Sequence, residues 1–152
     1  MALVAPVSKY KIKTYLIYMA VLVGVAAWFF YDGNYNQAFI EKHSPDGIPD
    51  ATMTLNKKAP AYLVGVAALL GVCLLVIRNK KVVAEDNALV IDSKVSIAYD
   101  SIQKIDKTDF DAKGHFTFTY KTPDGKEIDR KISDRDYDNL KAILDHLVAK
   151  IS

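Results

Sequence analysis

Two stretches of the chain are apolar on every face. Residues 14–31 and 59–77 contain no charged side chain. Neither keeps the polar stripe that a helix on a soluble core shows at a 3.6-residue period. Coiled as helices, such runs rise about 27–29 Å, close to the roughly 30 Å hydrocarbon core of a bilayer. The pattern predicts two transmembrane helices, residues 14–31 and 59–78, that form a hairpin. An N-terminal segment of residues 1–13 precedes them, a polar loop of residues 32–58 joins them, and a polar domain of residues 81–152 follows.

In that domain the period shortens. Alternating or β-branched runs at Lys81–Ala84, Ala88–Asp92, Val95–Ala98, Ser101–Asp106, His115–Lys121 and Glu127–Ile132 predict strands. Turn chemistry separates them, for example Asp92-Ser93-Lys94 and Pro123-Asp124-Gly125, as in an antiparallel meander. Phe116, Phe118 and Tyr120 fall on one face at period two. A final stripe of Tyr137, Leu140, Ile143, Leu144, Leu147, Val148 and Ile151 predicts an amphipathic helix. Ser133 is its expected N-cap, with Asp136 at the capping-box position. The predicted fold class is thus a membrane α-helical hairpin plus a small α+β domain.

The ends of the apolar runs carry amphipathic anchors. Tyr15, Trp28, Tyr31, Tyr62 and Arg78 are the candidate membrane-interface residues. The basic start (Lys9, Lys11, Lys13) suits a signal peptide, but the run is too long and ends in Trp28-Phe29-Phe30-Tyr31, not in small residues, so an uncleaved signal-anchor is expected. Lys9, Lys11, Lys13, Arg78, Lys80 and Lys81 flank the pair on the side of the two termini. The connecting loop has Lys42, Lys57 and Lys58, offset by Asp32, Glu41, Asp46 and Asp50. This bias predicts both termini in the cytoplasm.

Both helices contain the hexapeptide Leu-Val-Gly-Val-Ala-Ala, at residues 22–27 and 63–68. Small residues let helix backbones approach closely, which makes Gly24, Ala27, Gly65, Ala68 and Gly71 candidate helix-packing residues, within the hairpin or against another membrane subunit. Apolar spans also draw on few residue types, and the repeat is too short to argue for duplication. In the loop, residues 36–42 can form a short interfacial helix. Asp32-Gly33-Asn34-Tyr35-Asn36 opens like a calcium loop, but Gln37 stands where that motif needs glycine and His43 where it needs a bidentate glutamate.

The domain resembles bacterial pleckstrin-homology-like (PH-like) domains. The residues that carry the resemblance are Leu89-Val90-Ile91-Asp92, then Val95 through Lys107, then Phe110, Lys113-Gly114 and Phe116, and the closing Tyr137-Asp138, Leu140 and Ile143-Leu144. The resemblance covers about 70 residues. It implies an antiparallel half-barrel capped by a C-terminal helix, often preceded by one or two membrane helices, and a bacterial inner-membrane location. Six strands are legible where such domains usually have seven.

Little chemistry is visible. Cys73 is the single cysteine, so neither an intrachain disulfide nor a cysteine-based metal site can form. His43, His115 and His146 are far apart in sequence. No phosphate loop or nucleophile elbow is present. Asp100, Asp106, Asp109 and Asp111 cluster near one turn, interspersed with Lys104 and Lys107, as on a solvated face. Residues 81–152 hold 12 Lys/Arg against 14 Asp/Glu, a net −2, with Arg130, Lys131 and Arg135 the densest basic group. That balance argues against nucleic acid and against strong phosphoinositide recognition. The sequence therefore predicts a non-catalytic accessory or scaffold subunit of a larger membrane complex, without cofactor or metal. Its expected partners are membrane lipids and other membrane subunits. The second reading is a lipid- or peptide-binding sensor at the membrane surface.

Overall fold

A computed structural model of the chain describes residues 2–151. These form two compact units, residues 13–75 and residues 2–12 with 76–151. The second unit is assembled from both ends of the chain, with the first inserted between them.

The inserted unit is helical. Helix α1 spans Lys9–Asn34 and α3 spans Ala51–Ile77, with the short α2, Gln37–His43, between them. Both long helices extend past the charge-free runs, α1 at both ends and α3 at its start. Their most apolar windows have mean hydropathies of 1.8 and 2.5, and only 6% and 11% of those windows is buried. Helices α1 and α3 are thus long and apolar enough to span a membrane. Helix α2 is capped by Asn36, whose side chain accepts from the Phe39 amide, so a helix does form in the loop segment where the sequence suggests one. Asp50 caps α3 by accepting from the Met53 amide, and it pairs with His43 at 2.8 Å. These bonds hold the Asp50 carboxyl below its ordinary pKa, the Met53 amide first and His43 next.

The other unit contains seven strands. Strand β1, Leu3–Pro6, lies before the hairpin, and β2, Lys81–Ala84, follows it. The rest are β3 (Ala88–Ile91), β4 (Val95–Ala98), β5 (Ile102–Asp106), β6 (His115–Lys121) and β7 (Glu127–Ser133), with the short helix α4 (Phe110–Lys113) between β5 and β6. Every pairing is antiparallel, in two sheets ordered β1-β2-β3-β4 and β5-β6-β7. Among the described residues no ladder joins the sheets, so the expected half-barrel is replaced by an open two-sheet arrangement. The break falls after β4. There a single 3-10 turn, Tyr99–Ser101, carries Tyr99 into the core, and its hydroxyl donates to the Glu85 carbonyl at 2.7 Å.

Helix α5, Leu140–Ile151, closes the core with Leu140, Ile143, Leu144 and Leu147. These pack with Val82, Ala84, Leu89 and Ile91 of the first sheet and Phe116, Phe118 and Ile132 of the second. Phe116, Phe118 and Tyr120 do share a face, their rings spaced 6.2 and 5.9 Å. The sequence places Ser133 at the N-cap of this helix, and the structure corrects that. Ser133 ends β7, its hydroxyl accepts from the Arg135 amide, and the helix begins seven residues later at Leu140. Residues 134–139 are instead drawn to the N-terminal strand. The Asp138 amide donates to the Pro6 carbonyl, the Ser8 amide donates to the Asp136 carbonyl, and Val7 bridges Tyr137. Asn139 then takes a left-handed φ of 60°, which a continuous helix cannot contain.

Strand β1 is the element that the sequence does not announce. The N-terminal segment was expected only to lead into the first helix. Instead it pairs with β2 in the register Leu3↔Ala84 through Pro6↔Lys81 and buries Ala5 completely. Pro6 is tolerated because β1 is an edge strand. Ala5→Asp is expected to place an unpartnered carboxylate in this core, costing about 3 kcal/mol or more. Limited proteolysis of the full-length protein should then cut residues 81–152 far faster than in the wild type.

Candidate functional site

The candidate surfaces are the face of the helical hairpin and, within the sheet unit, the contacts around the first turn of α1. The less exposed positions of α1 include Tyr15, Met19, Leu22, Ala26, Phe29 and Gly33, alternating four and three residues apart. Those of α3 include Met53, Asn56, Pro60, Leu63, Ala67, Leu70 and Leu74 in the same alternation. This is the heptad seam of a helix pair. Two contacts set its register. A Cβ on Gly33 would stand 3.2 Å from the Asn56 carbonyl, and one on Gly71 would stand 3.3 Å from the Met19 methyl. The helices are therefore antiparallel, and intermediate positions place Leu22 opposite Ala67 and Ala26 opposite Leu63.

That register gives the repeated hexapeptide a physical role. Each copy supplies a leucine at its first position and an alanine at its fifth. Antiparallel pairing sets the leucine of each against the alanine of the other, large against small at both ends. Ala26 and Ala67 are accordingly buried. The candidate packing residues separate. Gly71 contacts Met19, whereas Gly24, Ala27, Gly65 and Ala68 are exposed, and a Cβ on Gly24 or Gly65 would meet nothing within 4 Å.

Gly33, Asn56 and Pro60 form a second local device. Pro60 has no amide hydrogen, so the Asn56 carbonyl loses its usual donor in the helix. Gly33 brings its backbone against that same carbonyl. Asn56 is buried and returns its side-chain amide to the Thr52 carbonyl at 3.0 Å. The interface candidates Trp28, Tyr31, Tyr62 and Arg78 are all exposed, while Tyr15 lies on the seam. The Trp28 indole donates to Asp32 at 2.7 Å, and the Asn36 amide donates to the other Asp32 oxygen at 2.8 Å.

At the junction, residues distant in sequence hold the start of α1. The Lys9 amide donates to Asp138 at 3.1 Å and the Tyr10 amide to the Ser8 hydroxyl at 3.1 Å. Lys11 pairs with Asp136 at 2.5 Å. Two carboxylates from residues 136–138 thus meet the positive end of the α1 dipole and its first-turn lysine. On the strand side, Asp92 accepts from the Tyr137 hydroxyl at 2.8 Å and pairs with Lys80 at 3.5 Å. Burial, the bond to Asp92 and the charges of Asp92 and Asp136 hold the Tyr137 hydroxyl far above its ordinary pKa. None of these residues stands out as a site in sequence. The one available signal is the density of acids between Ser133 and Asn139, which reads equally well as a helix cap.

The acidic cluster is a set of local structural bonds. Asp106 accepts from the Thr108 amide, and Asp109 pairs with Lys113 at 3.0 Å and His115 at 3.5 Å. Both carboxyls are held below their ordinary pKa, Asp106 by Thr108 and Asp109 by Lys113. A general acid at neutral pH needs a shift in the opposite direction. Among the described residues no group of three His, Cys, Asp or Glu side chains is placed to hold a metal ion. No protein-family model matches the chain, and no curated protein or solved structure is significantly similar to it.

Two predictions follow from these contacts. Cysteines placed at Met19 and Gly71 in a Cys73→Ser background should cross-link, and adding Gly33→Leu should sharply lower the yield by forcing a side chain into the Asn56 backbone. For Tyr137, a raised folded pKa means that the neutral hydroxyl stabilises the domain below the ordinary tyrosine value of about 10, and that this contribution is lost as pH rises beyond it. Tyr137→Phe should cost about 1 kcal/mol at neutral pH. Thermal melts between neutral and alkaline pH should show a shallower decline for the variant than for the wild type.

Proposed function

We propose that this chain is a non-catalytic integral membrane protein that serves as an accessory or scaffold subunit of a larger membrane complex. The observation that carries the reading is the division of small residues on the hairpin. The hairpin's own seam uses Ala26, Ala67 and Gly33, which leaves Gly24, Ala27, Gly65 and Ala68 on outward faces where another helix can approach closely. In lipid, where apolar side chains gain little from leaving the tails, close backbone approach is a main source of helix association.

The hairpin crosses the bilayer twice, and the pairing of β1 with β2 requires both of its ends on one side. Lys9, Lys11, Lys13, Arg78, Lys80 and Lys81 favour the cytoplasm for that side, in a bacterial inner membrane. The domain is of the PH-like type. Support comes from its seven strands, in antiparallel sheets of four and three, followed by a helix that packs on both. Its acids are exposed or tied to neighbouring groups, in keeping with a holding role.

Purification in mild detergent followed by mass spectrometry should recover a stoichiometric membrane partner. Gly24→Leu with Gly65→Leu should release that partner while the Met19–Gly71 cross-link still forms. Migration as a lone monomer in several mild detergents would overturn the reading.

A further inference from the structure

Beside the first turn of α1 lies an open cavity of about 470 Å³, lined by Ser8, Tyr10, Arg135, Tyr137 and Asn139 with the acids Asp134 and Asp138. Tyr10 stands four residues before Thr14, where the charge-free run begins, a distance of about 6 Å along the helix. The cavity therefore belongs to the headgroup level of any bilayer that the helix enters, and this inference rests on the membrane-spanning reading above.

Its chemistry is mixed in sign. The exposed side chains of Asp134 and Arg135 have no hydrogen-bond or ion-pair partner among the described residues. Asp138 gives one oxygen to the Lys9 amide, and its second oxygen takes part in no hydrogen bond within the described residues. Two of the first amides of the helix are already taken, that of Lys9 by Asp138 and that of Tyr10 by the Ser8 hydroxyl. What the cavity presents is one guanidinium and two carboxylates, a net charge of −1.

We propose that this cavity holds the headgroup of a zwitterionic phospholipid, a primary ammonium joined to a phosphodiester as in phosphoethanolamine. The planar guanidinium of Arg135 suits the phosphate oxygens. Asp134 and Asp138 suit the ammonium, which carries three donors. The exposed ring of Tyr10 completes an amphipathic wall of the kind that sits at headgroup depth. A phosphoglycerol headgroup brings a negative charge with no cation to satisfy the two carboxylates. A phosphocholine headgroup brings a quaternary ammonium with no hydrogen to donate. The charge balance therefore selects phosphoethanolamine over both.

The test uses the full chain in phosphatidylcholine nanodiscs doped with equal amounts of phosphatidylethanolamine and phosphatidylglycerol. Lipids retained after mild delipidation are counted by native mass spectrometry. The wild type should retain phosphatidylethanolamine over each of the other two by about fivefold, the scale of one exposed ion pair. Asp134→Asn should erase the preference over phosphatidylcholine, and Arg135→Gln should lower phosphatidylethanolamine retention; both positions are exposed and leave the α1 cap untouched. Equal retention of the three lipids, or the same profile in wild type and both variants, would overturn the proposal. So would displacement of the lipid by stoichiometric free O-phosphoethanolamine, which would make the site one for the soluble molecule. Recovery of the protein outside the discs would instead overturn the membrane-spanning reading.

Discussion

The pairing of β1 with β2 is the constraint on which the rest of the chain depends. Leu3–Pro6 and Lys81–Ala84 form one ladder although the whole hairpin lies between them. Joining two strands across so long a flexible loop would carry a substantial entropic cost. The loop here is not flexible. Helices α1 and α3 run antiparallel in a register fixed by Gly33 against Asn56 and Met19 against Gly71, so the hairpin returns the chain towards its starting point. The helix pair lowers the closure cost of the ladder, and the ladder in turn ties both helix ends to one sheet. A β1 displaced by one residue would put Ala5 on the solvent face.

The seam follows the same economy of means. An apolar helix in lipid has no hydrophobic drive to choose a partner face, so shape must choose it. The repeated hexapeptide supplies shape complementarity twice over, Leu22 against Ala67 and Leu63 against Ala26. At the loop end, the carbonyl that Pro60 leaves without a donor is met by the backbone of Gly33, where any side chain would intervene. Composition alone favours Gly24 and Gly65 as packing residues because glycine is the smallest. The geometry instead uses the alanines two positions away, because only one phase of the heptad brings the leucines inward.

The parts of the fold that were legible in sequence are those written in local pattern. The two apolar runs and the six strands of residues 81–152 are set by periodicities that the chain carries within a few residues. The short loop helix is marked by Asn36. The strand β1 is not legible, because Leu-Val-Ala-Pro is four residues long, ends in proline and has no turn to a neighbour. Its partner lies beyond the hairpin, and only tertiary structure can name it. The error at Ser133 has the same root. Ser133 and Asp136 satisfy every local rule for a helix start, yet the backbone of residues 136–138 is worth more as a partner for Pro6, Val7 and Ser8, and tertiary pairing overrides the cap. The junction was illegible for this reason: each of its residues is ordinary alone and acquires a role through another that is far away in sequence.

This arrangement also orders the events of folding. Helix α1 precedes the rest of the domain in sequence, but its opening turn is completed by Asp136 and Asp138, 125 and 129 residues beyond their partners Lys11 and Lys9. Strand β1 likewise waits for β2, and β2 needs Leu89 and Ile91 of β3 opposite it before its inward side chains are covered. The hairpin can pair by its own seam, since Leu22, Ala26, Leu63 and Ala67 all lie within it. The domain cannot close without residues 134–151, because α5 covers the core and the six residues before it hold β1 in place. Hairpin pairing is therefore the local event and domain closure the non-local one.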